Sequence, residues 1–177
     1  MALNVPAAIT AAGKLSLTIA PASAIADISA ITETELAADG VVNVSCVLQG
    51  DGYGRSTSES TSEGRRACEE YTYDIPGPKK TEFDETRFVY DPQDPTAAVS
   101  IAYAALTEGE EYVLIERFGV SGKEELATGD IYSAYPVRLS VKEGLVPGSE
   151  GELEFIAQFR SCLLYTSDAA DDTPCVD

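Results

Sequence analysis

Apolar and polar residues alternate strictly near the C-terminal end of the chain. Leu153, Phe155, Ala157 and Phe159 occupy every second position, and most of the residues between them are charged or amide side chains. A period of two residues is that of a β-strand, whose successive side chains point to opposite faces of a sheet. The segment 152–160 therefore predicts a strand with one face on a core and the other in water.

Segments of the same kind recur along the chain and are separated by Gly, Pro and Asp residues. They predict strands at 15–20, 41–48, 67–75, 80–90, 112–118, 131–141 and 152–160. A helix is predicted over 95–106, with Asp94 as its N-cap, and a short helical turn over 32–38, with a capping pattern at Thr32–Glu35. These elements predict a mainly β fold, a β-sandwich or barrel with one α-helix on its flank.

Two further stretches are predicted to interrupt the strands. Residues 49–66 contain almost no apolar side chain and predict a long loop, a feature that is usually functional or disordered. The tripeptide Pro76-Gly77-Pro78 is expected to end a strand. The two cysteines upstream of residue 161, Cys46 and Cys68, are expected to be buried thiols in two strands, or a disulfide if those strands are neighbours.

The charge and composition exclude several classes of function. The 177 residues include 30 acidic and 12 basic side chains and no His, for a formal net charge of −18. This acidity argues against binding to nucleic-acid phosphates, and the lack of His excludes Ser/His or Cys/His catalysis and His-ligated zinc. No apolar run approaches the ~20 residues that cross a bilayer, so no membrane partner is expected.

A carboxylate pair is the only catalytic arrangement that the composition offers. Asp84/Glu85 and Glu124/Glu125 could in principle serve an acid–base hydrolase, which needs a carboxylate with a raised pKa in a cleft. Nothing in the sequence marks either pair as buried. The chain is therefore expected not to be an enzyme and to need no cofactor or metal.

The C-terminal residues resemble a translated sequencing adapter of the transposase type. Cys162–Asp171 is similar to the first part of such an adapter and Val176-Asp177 to its continuation, with room between them for a sample index. On this interpretation 162–177 is not native sequence, and the protein is a metagenomic fragment truncated after Ser161. Residues 1–161 then carry 26 acidic and 12 basic side chains, a net charge of −14.

Four other segments carry a resemblance to a known family. They are Ala2–Gly13, Cys68–Pro76 with the following Lys79-Lys80-Thr81, Phe88–Gln93, and Gly129–Val137 with its Tyr-Pro-Val step. Together these segments resemble the major tail tube proteins of long-tailed phages, particularly those that infect actinobacteria. The resemblance implies an N-terminal arm over 1–12 and a tail-tube β-sandwich over 13–161.

The family resemblance implies a structural virion protein. Its copies would form stacked sixfold rings around a lumen through which DNA passes during ejection without specific binding. The implied partners are other copies of the chain, the tape measure protein and the tail-end proteins. The implied location is the virion tail, assembled in the cytoplasm of the bacterial host.

The resemblance also suggests roles for individual residues. An acidic lumen would repel DNA phosphates, which makes strand-borne acids candidates for facing it: Glu82, Asp84, Glu152 and Glu154. The arm and the loop at 49–66 are expected to make ring contacts, through Leu3, Val5, Ile9, Tyr53 and Arg55.

A secreted bacterial β-sandwich for adhesion or surface display is the alternative. It would share the acidity and the Ser/Thr-rich loop, and it would need a signal peptide cleaved near Ala24. The position of Lys14 and the alternation over 15–20 favour a strand there instead of a signal peptide.

Overall fold

The computed structural model describes residues 8, 10–68, 70–127, 129–148 and 151–162, and these are mainly β. The strands are β1 Leu15–Pro21, β2 Val42–Asn43, β3 Arg55–Gly64, β4 Tyr73–Phe83, β5 Thr86–Val89, β6 Glu111–Phe118, β7 Ser133–Gly144 and β8 Glu154–Ser161. The helices are α1 Glu33–Leu36 and α2 Ile101–Ala105, with 3-10 turns at Ala22–Ala24 and Ala98–Ser100. The predicted mainly β fold is confirmed.

Six of these strands form one antiparallel sheet in the order β2-β1-β6-β7-β8-β5. The strands are staggered: β6 ends its pairing at Glu111↔Arg138, while β7 continues and pairs with β8 as far as Gly144↔Phe155. A register shift between Leu139 and Val141 adds a local bend. The sheet curls into a half-barrel with α2 packed inside it.

The sheet buries apolar side chains on both of its faces. On β6, Tyr112 and Leu114 enter a large cluster that includes Phe88 and Phe155, and Val113 and Ile115 enter a smaller one on the other face. This explains why β6 has an almost continuous apolar sequence, whereas a strand with one wet face alternates.

The alternation that predicted β8 is confirmed in its centre. Phe155, Ala157 and Phe159 are buried in the large cluster. Leu153 lies before the strand and is 41% exposed, and Ile156 is buried on the opposite face. The prediction was therefore wrong about Leu153, and about a second face wholly in water.

The strand predicted over 41–48 is confined to the two residues of β2. The Asn43 side chain ends it, because its Oδ1 accepts hydrogen bonds from the Ser45 N–H at 3.0 Å and the Ser45 hydroxyl at 2.6 Å. Such a local bond turns the chain out of the extended conformation. Val44 and Val47 still reach the core from the turn that follows.

The predicted long loop at 49–66 is wrong over most of its length, because β3 occupies residues 55–64. Its partner β4 runs through Pro76-Gly77-Pro78, which were expected to end a strand, and residues 67–68 and 70–72 of the predicted strand 67–75 lie outside β4. β3 and β4 form a separate two-stranded sheet, so each strand pairs on one side only. A Pro residue is tolerated in such a strand where its nitrogen faces the unpaired side, because no hydrogen bond of the sheet is lost there. The strand predicted over 80–90 is split between β4 and β5.

The helix predicted over 95–106 is shorter than expected and begins with the 3-10 turn at Ala98. Asp94 does not cap it: its Oδ1 accepts hydrogen bonds from the Thr96 N–H at 3.0 Å and hydroxyl at 2.7 Å, which forms a separate turn. Ser100 is the N-cap of α2. The predicted cap of α1 is confirmed as a capping box between Thr32 and Glu35.

Three further expectations concern the cysteines, the tail and the membrane. Cys46 and Cys68 are both exposed and free, so the expectation of buried thiols is wrong. Residues 163–177 lie outside the described residues, and the adapter interpretation stays a prediction. Cys162 follows β8 directly, and its N–H donates to the Pro136 carbonyl at 3.0 Å. None of the helices among the described residues is long and apolar enough to span a bilayer.

Candidate functional site

The two-stranded sheet of β3 and β4, residues 55–83, is here called the ribbon. Its pairing runs from Arg55↔Phe83 at the base to Gly64↔Tyr73 at the tip. Ten residues of β3 at ~3.4 Å each give it a length of roughly 30 Å. Almost every side chain along both strands is exposed. A two-stranded ribbon without a core is only marginally stable in water, so its base and its contacts determine its conformation.

The two faces of the ribbon differ in character. Because β3 is regular, its odd-numbered residues from Arg55 to Glu63 share one face, and its even-numbered residues share the other. That second face, here called the serine face, carries Ser56, Ser58, Ser60, Ser62 and Gly64. The register shift opposite Ser60 lies in β4 and places Gly77, Ile75 and Tyr73 on the serine face as well.

An ion pair between the partly exposed Arg55 and the buried Glu116 fastens the base of the ribbon to the large sheet. The Arg55 Nε–H donates to Glu116 on β6 at 2.9 Å from Oε1 and 2.8 Å from Oε2. The Tyr53 hydroxyl donates to Glu116 Oε1, and the Arg55 guanidinium lies 4.7 Å from the centre of the Tyr135 ring. Glu116 is completely buried. These four residues, Tyr53, Arg55, Glu116 and Tyr135, are here called the clamp.

The electrostatics of the clamp keep Tyr53 and Arg55 in the protonated states that their hydrogen bonds to Glu116 require. Burial, followed by the hydrogen bond and charge of Glu116, raises the pKa of Tyr53, so its hydroxyl stays a donor. Burial lowers the pKa of Arg55, but Glu116 raises it by more, and the net pKa lies above the usual value. A buried carboxylate is tolerated only when it is paired and hydrogen-bonded, and Arg55 and Tyr53 supply both. The arrangement is suited to holding a position, since Tyr53 and Arg55 both keep the protons that they donate to Glu116.

Two glycines let the chain enter the clamp close to β5. A Cβ atom at Gly52 would lie 2.8 Å from the Arg87 carbonyl oxygen, and one at Gly54 would lie 2.3 Å from the Asp84 carboxylate. The Arg87 N–H donates to the Gly52 carbonyl at 2.8 Å, which fixes this approach. The segment therefore serves packing, and Tyr53 between the two glycines is directed into the core.

The predicted lumen-facing acids occupy different places in the fold. Glu82 lies on the serine face and pairs with Lys80 at 2.7 Å, and this hydrogen bond lowers the pKa of the Glu82 carboxyl. Asp84 and Glu152 are exposed, and Glu154 accepts a hydrogen bond from Gln49 Nε2 at 2.7 Å. Glu154 on β8 pairs with Val89 at the last position of β5, whereas Asp84 lies before the first position of β5. The four acidic residues therefore do not form one cluster. Their facing a lumen stays a prediction.

The predicted ring-contact residues divide into two groups. Leu3, Val5 and Ile9 lie outside the described residues. Tyr53 and Arg55 lie in the clamp, where they contact their own chain. Contact between these residues and another ring stays a prediction.

The two carboxylate pairs considered for a hydrolase are both exposed at the surface. Asp84 and Glu85 are exposed on the turn between β4 and β5, and the Glu85 carboxylate accepts a hydrogen bond from Gln158 at 3.0 Å. Glu125 borders a groove of about 270 Å³ that Glu124 does not line. Within the described ranges, no group of three or more Cys, Asp or Glu residues is arranged to hold a metal ion.

Glu116 and Tyr135 are the two clamp residues that sequence reasoning missed. The signal for Glu116 was a single acidic residue at the end of the apolar run of β6. A charge that follows four buried apolar residues in a central strand needs a partner, and that partner lies 61 residues away at Arg55.

Comparison with known proteins gives one family. The family model described as "Phage tail tube protein" matches residues 1–175, which is nearly the whole chain. A search of curated proteins finds no match.

Proposed function

Because the chain belongs to the phage tail tube protein family, we propose that it is the repeating subunit of a hollow tail tube. In this proposal identical subunits form rings, six to a ring, and the rings stack around a lumen through which DNA passes. The partners are other copies of the chain, the tape measure protein and the tail-end proteins. Assembly takes place in the host cytoplasm, and the product is a structural part of the virion tail with no catalytic role.

The clamped ribbon is the observation that supports assembly most directly. A single subunit leaves both faces of the ribbon exposed over most of its length, yet it holds the base with an ion pair to a buried carboxylate. Burying the Glu116 carboxylate is expensive, and the ion pair with Arg55 that compensates it fixes the direction of an exposed element. A fixed direction is useful when the ribbon must meet a neighbouring subunit.

The free edges of the ribbon support the same proposal. Along each strand of a two-stranded sheet, every second residue turns its N–H and C=O away from the partner strand. Pro76 and Pro78 cannot donate a ladder hydrogen bond from β4, whereas β3 contains no Pro and only three charged residues, Arg55, Glu59 and Glu63. An unprotected edge of ten residues invites pairing with another chain, which is a liability in a monomer and an advantage in a tube.

The acidity of the chain supports the passage of DNA. Glu82, Asp84, Glu152 and Glu154 are proposed to face the lumen, where their charges would repel phosphates over a Debye length of ~8 Å. The arm, with Leu3, Val5 and Ile9, and the ribbon base, with Tyr53 and Arg55, are proposed to contact neighbouring rings.

Electron microscopy of the purified protein tests the proposal. The full chain is expected to form rings or tubes. A variant that lacks Ser58–Lys80, with Thr57 and Thr81 joined by an Asn-Gly turn, keeps the clamp and the Thr57–Thr81 hydrogen bond of 3.2 Å. It is expected to fold but to form no tubes. Tubes from this variant, or no assembly of the full chain, would contradict the proposal.

The secreted adhesion domain is disfavoured by the position of β1. Cleavage near Ala24 would remove β1, which pairs with β6 from Leu15↔Phe118 to Pro21↔Tyr112 and buries Leu17 and Ile19 completely. N-terminal sequencing of the protein expressed in bacteria is therefore expected to find residues 15–21 still present. A product that begins near Ile25 and is still folded would favour the secreted alternative.

A further inference from the structure

A groove of about 270 Å³ lies over β1, between the segment that contains α1 and the loop that joins β6 to β7. It is on the face of the large sheet that carries the smaller apolar cluster. Thr18, in the middle of β1, forms its floor. Three of its lining side chains pack against that cluster: Leu36, Val41 and Leu126. The groove is therefore an open, largely apolar edge of the smaller cluster.

Thr18 gives the floor of this groove a polar group. Its side chain is 6% exposed, and none of the described residues forms a hydrogen bond with its hydroxyl. The Thr86 hydroxyl also has no partner among the described residues, but it is enclosed in the core, whereas the Thr18 hydroxyl is not. A nearly buried polar group needs a partner, and for Thr18 that partner must come from the groove.

The charged side chains that line the groove are acidic. They are Glu33 of α1 and Glu125 of the opposite loop, and none of the described lining residues is basic. The buried Arg117 lies on the same face of the sheet, but its charge is compensated by Asp130 and by the Glu125 carbonyl at 3.1 Å. Carboxylates beside an apolar slot favour an occupant that combines a positive charge with an apolar chain.

Both walls of the groove are fixed by contacts of the chain itself. On the loop side, the Arg117 guanidinium holds the backbone of Glu125. On the other side, the capping box between Thr32 and Glu35 holds α1, and the Glu35 carboxylate also accepts a hydrogen bond from the Ala26 N–H at 2.7 Å. A groove with fixed walls is preorganised, so that little conformational entropy is lost when a ligand enters it.

We propose that this groove binds a free aliphatic amine with a primary ammonium group and a chain of about four to six carbon atoms. The groove has the volume of about nine water molecules at ~30 Å³ each, which suits a ligand of this size. The ammonium group donates hydrogen bonds to the Glu125 carboxylate and to the Thr18 hydroxyl oxygen, and the apolar walls cover the chain. Binding takes place on one subunit, so this proposal stands or falls independently of tube formation.

Saturation-transfer NMR with the full chain tests the class of ligand. Pentylammonium should bind with a Kd of about 1 mM or tighter. 1-Pentanol lacks the charge and methylammonium lacks the chain, so each should bind at least about tenfold more weakly. N-acetyl-lysine methylamide represents the other source of the same group, a lysine side chain of a protein. Equal or tighter binding of any of these three compounds, or no binding of pentylammonium, would overturn the proposal.

Matched variants locate the binding site on the chain. Glu125→Gln removes the carboxylate from the loop wall, and Thr18→Val replaces the hydroxyl with a methyl group of similar size. Each should weaken the binding of pentylammonium at least about threefold. Glu124→Gln removes the adjacent charge, which does not line the groove, and should leave the Kd unchanged. Equal weakening by Glu124→Gln would indicate general attraction to an acidic surface. That result, or unchanged binding in either groove variant, would contradict the assignment.

Discussion

The six-stranded sheet with its helices, here called the body, and the ribbon are built from strands of similar length but are stabilised in opposite ways. In β6 the residues from Tyr112 to Arg117 are all buried, and the strand contacts neighbours on both sides and both faces. In β3 the residues from Ser56 to Glu63 are all exposed, and the strand pairs only with β4. The body therefore carries its own stabilising contacts, while the ribbon depends on its base.

This difference has a consequence for cooperativity. Hydrophobic burial is what makes a region unfold together with the rest of the chain, and the ribbon beyond Thr57 and Thr81 contributes little of it. The ribbon can therefore open locally while the body stays folded, unless another molecule covers it. The clamp joins the cooperatively folded body to the locally opening ribbon.

The largest expected effect comes from a cavity in the body. Phe155 is fully buried, stacks on Phe88 at 5.4 Å and meets the edges of Tyr90 and Tyr103. Phe155→Ala is expected to lower the free energy of unfolding by about 3–5 kcal/mol, as other large-to-small changes do. Ile75→Ala in the ribbon should change it by about 0.5 kcal/mol. Urea denaturation of the unassembled subunit measures both, and similar losses would show that the ribbon shares the body's core.

The next effect concerns the clamp. Arg55→Met removes the cation but leaves the fully buried Glu116 carboxylate without its ion-pair partner, which should cost about 3 kcal/mol. Adding Glu116→Gln removes the unpaired charge and should recover part of that loss. Denaturation of Arg55→Met, of Glu116→Gln alone and of the double variant gives the three stabilities, and hydrogen exchange should show faster opening of the ribbon in Arg55→Met. A double variant that loses the sum of the two single effects would mean that the pair does not act as a unit.

The sequence allowed the body to be predicted well and the ribbon poorly, and burial is the reason. β1, β6 and β8 bury apolar side chains, so hydrophobic periodicity marked all three. β3 buries none and reads as a loop, since Ser, Thr, Glu and Gly are loop-forming residues. β3 does alternate with a period of two, but between Ser and larger polar side chains, since Ser recurs at 56, 58, 60 and 62.

The clamp was only half visible in the sequence. Tyr53 and Arg55 were selected as contact residues without their partner, and Glu116 was not selected at all. The pairing joins residues 61 positions apart, and no local pattern encodes which distant charge a buried carboxylate will meet. The acid after the apolar residues of β6 shows that a partner is needed, while only the fold shows where the partner lies.

The smallest of the three effects tests how tightly the chain is held where the body meets the ribbon. Gly52→Ala would place its Cβ 2.8 Å from the Arg87 carbonyl oxygen and 3.0 Å from the Gln49 Cβ, and backbone cannot move aside cheaply. Such overpacking should cost about 1–3 kcal/mol in denaturant unfolding. Gly50→Ala is the matched control, because a Cβ at that exposed site meets nothing within 4 Å. If both alanines are tolerated equally, the junction can shift, and the clamp rather than close packing beside β5 sets the direction of the ribbon.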